Sequence, residues 1–149
     1  MKTVKKTDLA WAAGFIDGDG YIGITRTDKR NRDVPEYYLK LRAGQKFRKP
    51  LNHLQALFGC GYVGYSTRPH SEWNVNHHES AKVLRLILPY LIVKKREAEL
   101  ALDFYELKEN QPRIKKEGIR TGFETVPMEY LAQRDAYYWA LREAKVIYR

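Results

Sequence analysis

Trp11-Ala12-Ala13-Gly14-Phe15-Ile16-Asp17-Gly18-Asp19-Gly20 is the stretch on which the reading of this chain turns. Ala10, Gly14 and Gly18 recur every four residues, which on a helix makes a ridge without side chains that another helix backbone can approach closely. Asp17 and Asp19 fall at the C-terminal end of that helix, where the macrodipole disfavours each carboxylate by roughly 0.3–1 kcal/mol and a divalent cation would offset the repulsion. Gly18 and Gly20 flank Asp19, so the backbone can turn sharply and expose a carbonyl beside the carboxylate. A glycine-capped helix end with two solvated acids satisfies the same letters. A calcium loop of the EF-hand type does not: counted from Asp17, its third acidic position is Tyr21 and its required glycine is Ile22.

Upstream, Thr7 or Asp8 can cap the helix, and Leu9, Ala12, Ala13 and Ile16 fall at helical spacing. Downstream, Tyr21–Thr27 and Glu36–Gly44 alternate with the period of strands, joined by a long polar turn over Asp28–Pro35. Ile22, Ile24, Leu39 and Leu41 point to one face, while Gly23, Thr25, Thr27, Tyr38, Lys40 and Arg42 point to the other. Pro50 suits the first turn of a helix with an apolar stripe at Leu51, Leu54, Leu57 and Phe58, ended by Gly59 and Gly61. A second hairpin follows, Gly61–Thr67 and Glu72–Asn76 around a turn at Arg68-Pro69-His70-Ser71. Val63, Tyr65, Trp73 and Val75 are expected on its apolar face, with Gly64, Ser66, Glu72, Asn74 and Asn76 opposite. Helices are expected over Ser80–Leu88, Lys95–Glu109 and from Pro127 to about Ala144, with an irregular basic segment over Gln111–Val126. The order is αββαββα plus C-terminal helices: an α+β fold with one continuous twisted antiparallel sheet.

The chain has 149 residues, a length that fits a single domain, and its 44% apolar and 13% aromatic residues exclude an intrinsically disordered chain. No apolar run is long enough to span a membrane, and the N-terminal residues do not open into a secretory signal, so an intracellular protein is expected. Cys60 is the only cysteine, which excludes an internal disulfide and a thiolate zinc cage; between glycines it reads as a small packed residue. The formal charge is +9, and nine basic residues against three acids between Arg26 and Lys49 hold two-thirds of it. Placed on a two-faced hairpin, that charge describes a ribbon suited to a nucleic-acid groove. His77-His78 suggests a metal but has no third ligand at a recognised spacing, and reads as a strand-to-helix boundary.

Ala12-Ala13-Gly14-Phe15-Ile16-Asp17-Gly18-Asp19-Gly20 resembles the signature of the LAGLIDADG homing endonuclease family, departing at Ala12, where leucine is usual, and conservatively at Phe15 and Gly18. Further landmarks follow in the family's order: Ala43-Gly44-Gln45-Lys46, Phe58-Gly59-Cys60-Gly61-Tyr62-Val63 and Pro89-Tyr90-Leu91-Ile92-Val93-Lys94-Lys95. They span roughly Leu9 to Leu107, and Gln133-Arg134-Asp135 in the last helix is also similar to family members.

The resemblance implies one endonuclease domain over 1–149, with a core about 7–109, a C-terminal part over 110–149, and the family's sheet saddle backed by helices. Members with one motif are homodimers, so it implies two copies packed through Ala10, Ala13, Gly14, Ile16 and Asp17, reading a pseudo-palindromic double-stranded DNA site. It also implies hydrolysis across the minor groove with Mg2+, or another divalent cation such as Mn2+, held by Asp19 and the Gly18 carbonyl. Asp17 is expected to support the helix end rather than touch metal. Gln45 matches the position that orders water, and Lys94 the basic residue that stabilises charge. The family's other basic residue falls at Lys49, with Arg48 as the alternative. Strand alternation, supported by the match, directs Thr25, Thr27, Tyr38, Lys40, Arg42, Ser66, Asn74 and Asn76 toward the major groove, joined by Arg68. Arg113, Lys115, Lys116 and Arg120 are expected on phosphates. The same scaffold also supports a non-cleaving DNA-binding regulator or an RNA-splicing maturase, the latter binding RNA. The joint presence of Asp19, Gln45 and Lys94 favours an enzyme.

Overall fold

The computed structural model describes residues 3–28, 34–112, 114–115 and 124–146. Helix α1 (Lys6–Asp19) leads into strands β1 (Gly20–Thr27) and β2 (Glu36–Gln45), then α2 (Arg48–Phe58), β3 (Tyr62–Tyr65) and β4 (Ser71–Val75). Helix α3 (His77–Ile87), a single 3-10 turn over Leu88–Tyr90, and α4 (Lys95–Asn110) follow. A short ladder of β5 (Ile114–Lys115) and β6 (Glu124–Thr125) precedes α5 (Met128–Val146). The four long strands form one antiparallel sheet in the order β1-β2-β4-β3. This is the expected α+β architecture, a sheet with helices packed on its apolar face.

Strand alternation accounts for the layering. Ile22, Leu41 and Val75 form one row across β1, β2 and β4, and Ala43, Trp73 and Val63 another across β2, β4 and β3, all buried. Leu9, Ala12, Ala13 and Ile16 of α1 complete this core with Leu51, Leu54, Leu84 and Phe104. Tyr21, Arg42, Asn74 and Tyr62 make a row on the opposite face. Pro50 occupies the first turn of α2, as its fixed φ favours.

Several boundaries differ from expectation. Helix α1 begins at Lys6, so Thr7 and Asp8 lie inside it; the Lys5 carbonyl receives the Asp8 and Leu9 N–H groups in place of a side-chain cap. Asn76 stands past the end of β4, and its carbonyl accepts the Ser80 N–H, so α3 starts at His77 rather than Ser80. Tyr65, the last residue of β3, is 55% exposed, whereas Val63 two residues earlier is buried. The segment expected to be irregular contains the β5–β6 pair. Residues 29–33 of the first turn and Arg113, Lys116 and Arg120 lie outside the described residues, and Lys115 is described only as part of β5.

Helix α5 is tied to the sheet through Asp135. It accepts the Tyr37 hydroxyl proton at 2.7 Å and faces Arg26 at 3.5 Å. Burial first, and then the Asp135 hydrogen bond, push the Tyr37 phenol up to about 12. No described helix is long and apolar enough to cross a membrane.

His77 performs a strand's work at the point where β4 stops. Its Nδ1 accepts the Leu39 N–H at 2.9 Å, taking the place of the carbonyl that a longer β4 would supply. An unpaired buried N–H costs about 1–3 kcal/mol, so this ring secures the middle of β2. Burial, with the Lys108 charge behind it, pulls the imidazole down to about 4. The unfolded chain therefore binds a proton below about 6.5 that the folded chain refuses until about pH 4. Folding stability should fall by about 3 kcal/mol from this group as pH drops through that window, since each pKa unit is worth about 1.4 kcal/mol. His77→Gln keeps an acceptor for Leu39 and does not titrate; urea melts at pH 7, 5.5 and 4 should show a flatter pH profile for it than for wild type.

Candidate active site and nucleic-acid interface

The two carboxylates that end α1 have different partners. Asp17 is held within the chain: its Oδ2 accepts the Ile92 N–H at 2.8 Å and its Oδ1 the Lys94 N–H at 2.9 Å. The Lys94 ammonium returns the contact, donating to the Asp17 carbonyl at 2.5 Å. Asp19 is exposed, and its Oδ2 accepts the Gln45 Nε2 proton at 2.9 Å. Gln45 is itself oriented, because its Oε1 receives the Lys46 N–H at 3.0 Å. Asp19 and Gln45 thus meet at one end of the sheet, from the end of α1 and the end of β2, and Lys94, the residue that opens α4, is bonded to Asp17 two residues before Asp19. Gly18 is exposed beside Asp19. Lys49 is exposed on the first turn of α2 and hydrogen-bonds to none of the three; Arg48 donates to the Val63 carbonyl at 3.1 Å. Asp19 has no ion pair among the described residues, so a carboxylate remains at a helix C-terminus with only a neutral amide on it.

Along α1, Ala10, Gly14 and Gly18 line an exposed face, and nothing stands within 4 Å of where a β-carbon at Gly14 or Gly18 would be. Ala13 and Ile16, expected at a subunit seam, are 0% and 1% exposed and belong to the protein's own core. The reason is geometric: they share the stripe of Leu9 and Ala12, whereas Ala10 and Gly14 lie on the other side of the helix. Asp17 likewise spends both carboxylate oxygens inside the chain.

The face of the sheet away from the core carries Thr25, Thr27, Tyr38, Lys40, Arg42 and Asn74, all half-buried, while Ser66, Arg68 and Asn76 are exposed. Thr25 pairs with Tyr38, Gly23 with Lys40, and Asn74 with both Arg42 and Tyr62. Tyr62, 70% exposed, went unnoticed in the sequence although it shares parity with Gly64. A β-carbon at Gly64 would collide with the Tyr62 ring, and one at Gly23 with Tyr21, so both tyrosines lie along their strands over a glycine. A Tyr-x-Gly spacing on a strand is the signal that could have found them.

Two further clusters escaped sequence reasoning. Glu97, 7% exposed in the first turn of α4, faces the Lys145 ammonium of α5 at 3.7 Å. Burial draws Lys145 below the usual lysine range; Glu97 opposes the shift and Lys94 adds to it. The other cluster is His77, His78 and Glu109, whose ligand atoms lie within 4.8 Å of one another, so the third ligand absent from the sequence pattern is supplied by α4. The hydrogen bonds argue against a metal there. With Nδ1 accepting the Leu39 N–H, neutral His77 carries its proton on Nε2, 3.1 Å from Glu109 Oε1. Ligation through Nε2 would require the proton on Nδ1, facing another N–H. His78 meets the Tyr105 hydroxyl at 2.8 Å, and the cluster is a hydrogen-bonded network.

A four-stranded antiparallel sheet with a basic outer face thus carries an acid and an amide at one end, with a lysine tethered nearby. The LAGLIDADG endonuclease family model matches residues 12–111, and the chain belongs to that family. A comparison with curated proteins gives no match. Among solved structures, the homing endonuclease I-CvuI in complex with the I-CreI target, with magnesium present and the DNA not cleaved, superposes with a TM-score of 0.78 at 23% identity, over 93% of this chain and 82% of that one. I-CvuI with its own target and calcium gives 0.65 at 29% identity, over 70% and 69%. The archaeal intron-encoded homing endonuclease I-Vdi141I complexed with DNA gives 0.74 at 16% identity, over 93% and 84%.

The two acids should separate cleanly in a stability measurement. Asp17→Asn leaves one neutral amide oxygen as acceptor where two N–H groups converge, turns an NH2 donor toward the other N–H, and should lower stability by about 1–3 kcal/mol. Asp19→Asn removes a charge from the unfavourable end of a helix dipole and should change stability by less than about 1 kcal/mol, in the stabilising direction. Denaturant melts of both variants at neutral pH check the order.

Proposed function

We propose that this chain is one subunit of a homodimeric, site-specific DNA endonuclease that hydrolyses phosphodiester bonds of a long pseudo-palindromic duplex with a divalent metal. The observation that carries the reading is the Gln45–Asp19 hydrogen bond at the end of the sheet where Asp17 tethers Lys94. The whole of 1–149 is read as one such domain.

Asp19 suits the part of metal ligand: its carboxylate is a hard donor, exposed, free of any described ion pair, and next to the Gly18 carbonyl. Magnesium or manganese bound there would supply charge neutralisation at the phosphate and activation of the attacking water. Gln45, oriented by Asp19 on one side and the Lys46 N–H on the other, presents a fixed amide for ordering that water. Lys94 contributes positive charge from a backbone position set by Asp17, and Lys49 is the second basic residue. Ala10, Gly14 and Gly18 form the face through which two copies of α1 would pack, bringing both Asp19 side chains together beneath the minor groove. Thr25, Thr27, Tyr38, Lys40, Ser66, Asn74 and Asn76 would read base edges in the flanking major groove.

Selection on a randomised duplex library with magnesium should yield double-strand breaks at a two-fold-related site. Asp19→Asn should lower the cleavage rate at least 100-fold while duplex affinity stays within a few-fold, the pattern of a lost transition-state interaction. Wild-type cutting by this variant would remove Asp19 from the catalytic centre. Sedimentation with the selected duplex should give two chains per DNA; a 1:1 complex would exclude the two-fold arrangement.

A further inference from the structure

The Glu97–Lys145 pair stands one helical turn from Lys94 and has no part in the function described above. Lys94 opens α4, and Glu97 is the third residue of that helix, the position from which a glutamate commonly reaches back to cap the first N–H. That task is already taken, because the Lys94 N–H donates to Asp17 at 2.9 Å. Glu97 is buried, with one oxygen 3.7 Å from the Lys145 ammonium and the other without a hydrogen-bond partner among the described residues. The Lys145 ammonium also lies 4.1 Å from the centroid of the Tyr21 ring, which holds it in place from β1.

We propose that Lys145 is a positioning residue for Lys94: by occupying the Glu97 carboxylate it keeps that acid from drawing the Lys94 ammonium inward, and so leaves Lys94 at the end of α1. The proposal deepens the endonuclease reading and rests on it for the use made of Lys94.

Helical spacing makes Lys94 the local partner of Glu97. Residues three and four apart on a helix are neighbours, and around Glu97 those positions hold Val93, Lys94, Leu100 and Ala101, of which Lys94 alone is a cation. The neighbouring pair obeys the rule: Arg96 meets Glu99, three residues on, at 3.8 Å. Lys94 does not, and its ammonium lies on the Asp17 carbonyl at 2.5 Å. A buried carboxylate is costly without a cation, so Glu97 would take the nearest one if it had none. Lys145 supplies that cation from α5, the far end of the chain. It also repels its competitor: the Lys94 charge adds to the burial that draws Lys145 below the usual lysine range, as does Arg42, whose guanidinium lies 4.5 Å from the same Tyr21 ring, while Glu97 opposes the shift. Two ammonium groups within reach of one acid thus separate, one onto Glu97 and the other onto the helix end beside Asp19.

A competition for one acid and a simple brace between helices respond oppositely to a second substitution. Acylation of the DNA-free protein with acetic anhydride, resolved residue by residue by fragment-ion mass spectrometry, reports the Lys94 amine directly; single-turnover cleavage of the selected duplex reports its use. Lys145→Met should slow Lys94 acylation several-fold, because a carboxylate partner holds the amine protonated. It should also lower the cleavage rate at least about 10-fold, with duplex affinity within about 3-fold of wild type. Lys145→Arg keeps the cation and should keep both wild-type values. Adding Glu97→Gln to Lys145→Met removes the acid and should return Lys94 acylation and cleavage to within about 3-fold of wild type. If the pair only braces α5 against α4, the second substitution restores nothing, since the contact stays broken; that result overturns the proposal, as does unchanged Lys94 acylation in Lys145→Met. Thermal melts establish that each variant is folded, and Lys145→Gln, which keeps a neutral donor toward Glu97, takes the place of Lys145→Met should the latter fail to fold. Acylation that follows the expected pattern in a protein that cuts no duplex would uphold the positioning of Lys94 and overturn the endonuclease reading instead.

Discussion

The Asp17 carboxylate, accepting two backbone N–H groups from the turn that opens α4, is the interaction on which the rest of the candidate site depends. It joins residues 75 and 77 positions apart and fixes where the Lys94 side chain begins. It also settles the fate of the α1 terminus. Orphan carbonyls at a helix end need donors, and the Lys94 ammonium takes one of them at Asp17. With that end braced, β1 leaves at a fixed angle and Asp19 stands at the mouth of the sheet, within reach of the last residue of β2.

Much of this architecture was legible because it follows from periodicity. The 3.6-residue stripe of Leu9, Ala12, Ala13 and Ile16 and the alternation in both hairpins are local properties, and the expected core residues are buried except Tyr65 at the end of β3. The proximity of Asp19, Gln45 and Lys94 was legible only through the family's motif order, since nothing in a glutamine at a strand end or one lysine among many marks it. The error over Ala13 and Ile16 has a physical origin. A helix of small residues offers two faces on which close packing is possible, and the apolar stripe claims one of them for the protein's own core. What escaped altogether depends on long-range contacts. Glu97 meets Lys145, and the His77 pair meets Glu109, across sequence separations that no local pattern encodes.

The polar groups that are buried share a logic with those that are exposed. His77 is kept neutral and used as a backbone surrogate, completing the sheet where β4 ends. Tyr37 is kept protonated and used to dock α5 through Asp135. Glu97 is the exception: one of its oxygens has no hydrogen-bond partner among the described residues and the other has a lysine at a distance longer than a hydrogen bond. Such a pair adds little to net stability, because desolvation consumes most of the Coulomb gain. Its consequence is positional, fixing the last turns of α5 against the first turn of α4, beside the lysine that Asp17 sets.

Charge on this molecule is therefore divided by accessibility. Interior ionisable groups are neutralised or locally paired, whereas Arg42, Arg48 and Arg68 lie on tyrosine rings and pair with no acid among the described residues. A positive surface of that kind repels itself and costs stability in the free protein. The cost is tolerable because the core beneath is continuous and the cations come from different elements, Arg42 from β2, Arg48 from α2 and Arg68 from the turn between β3 and β4.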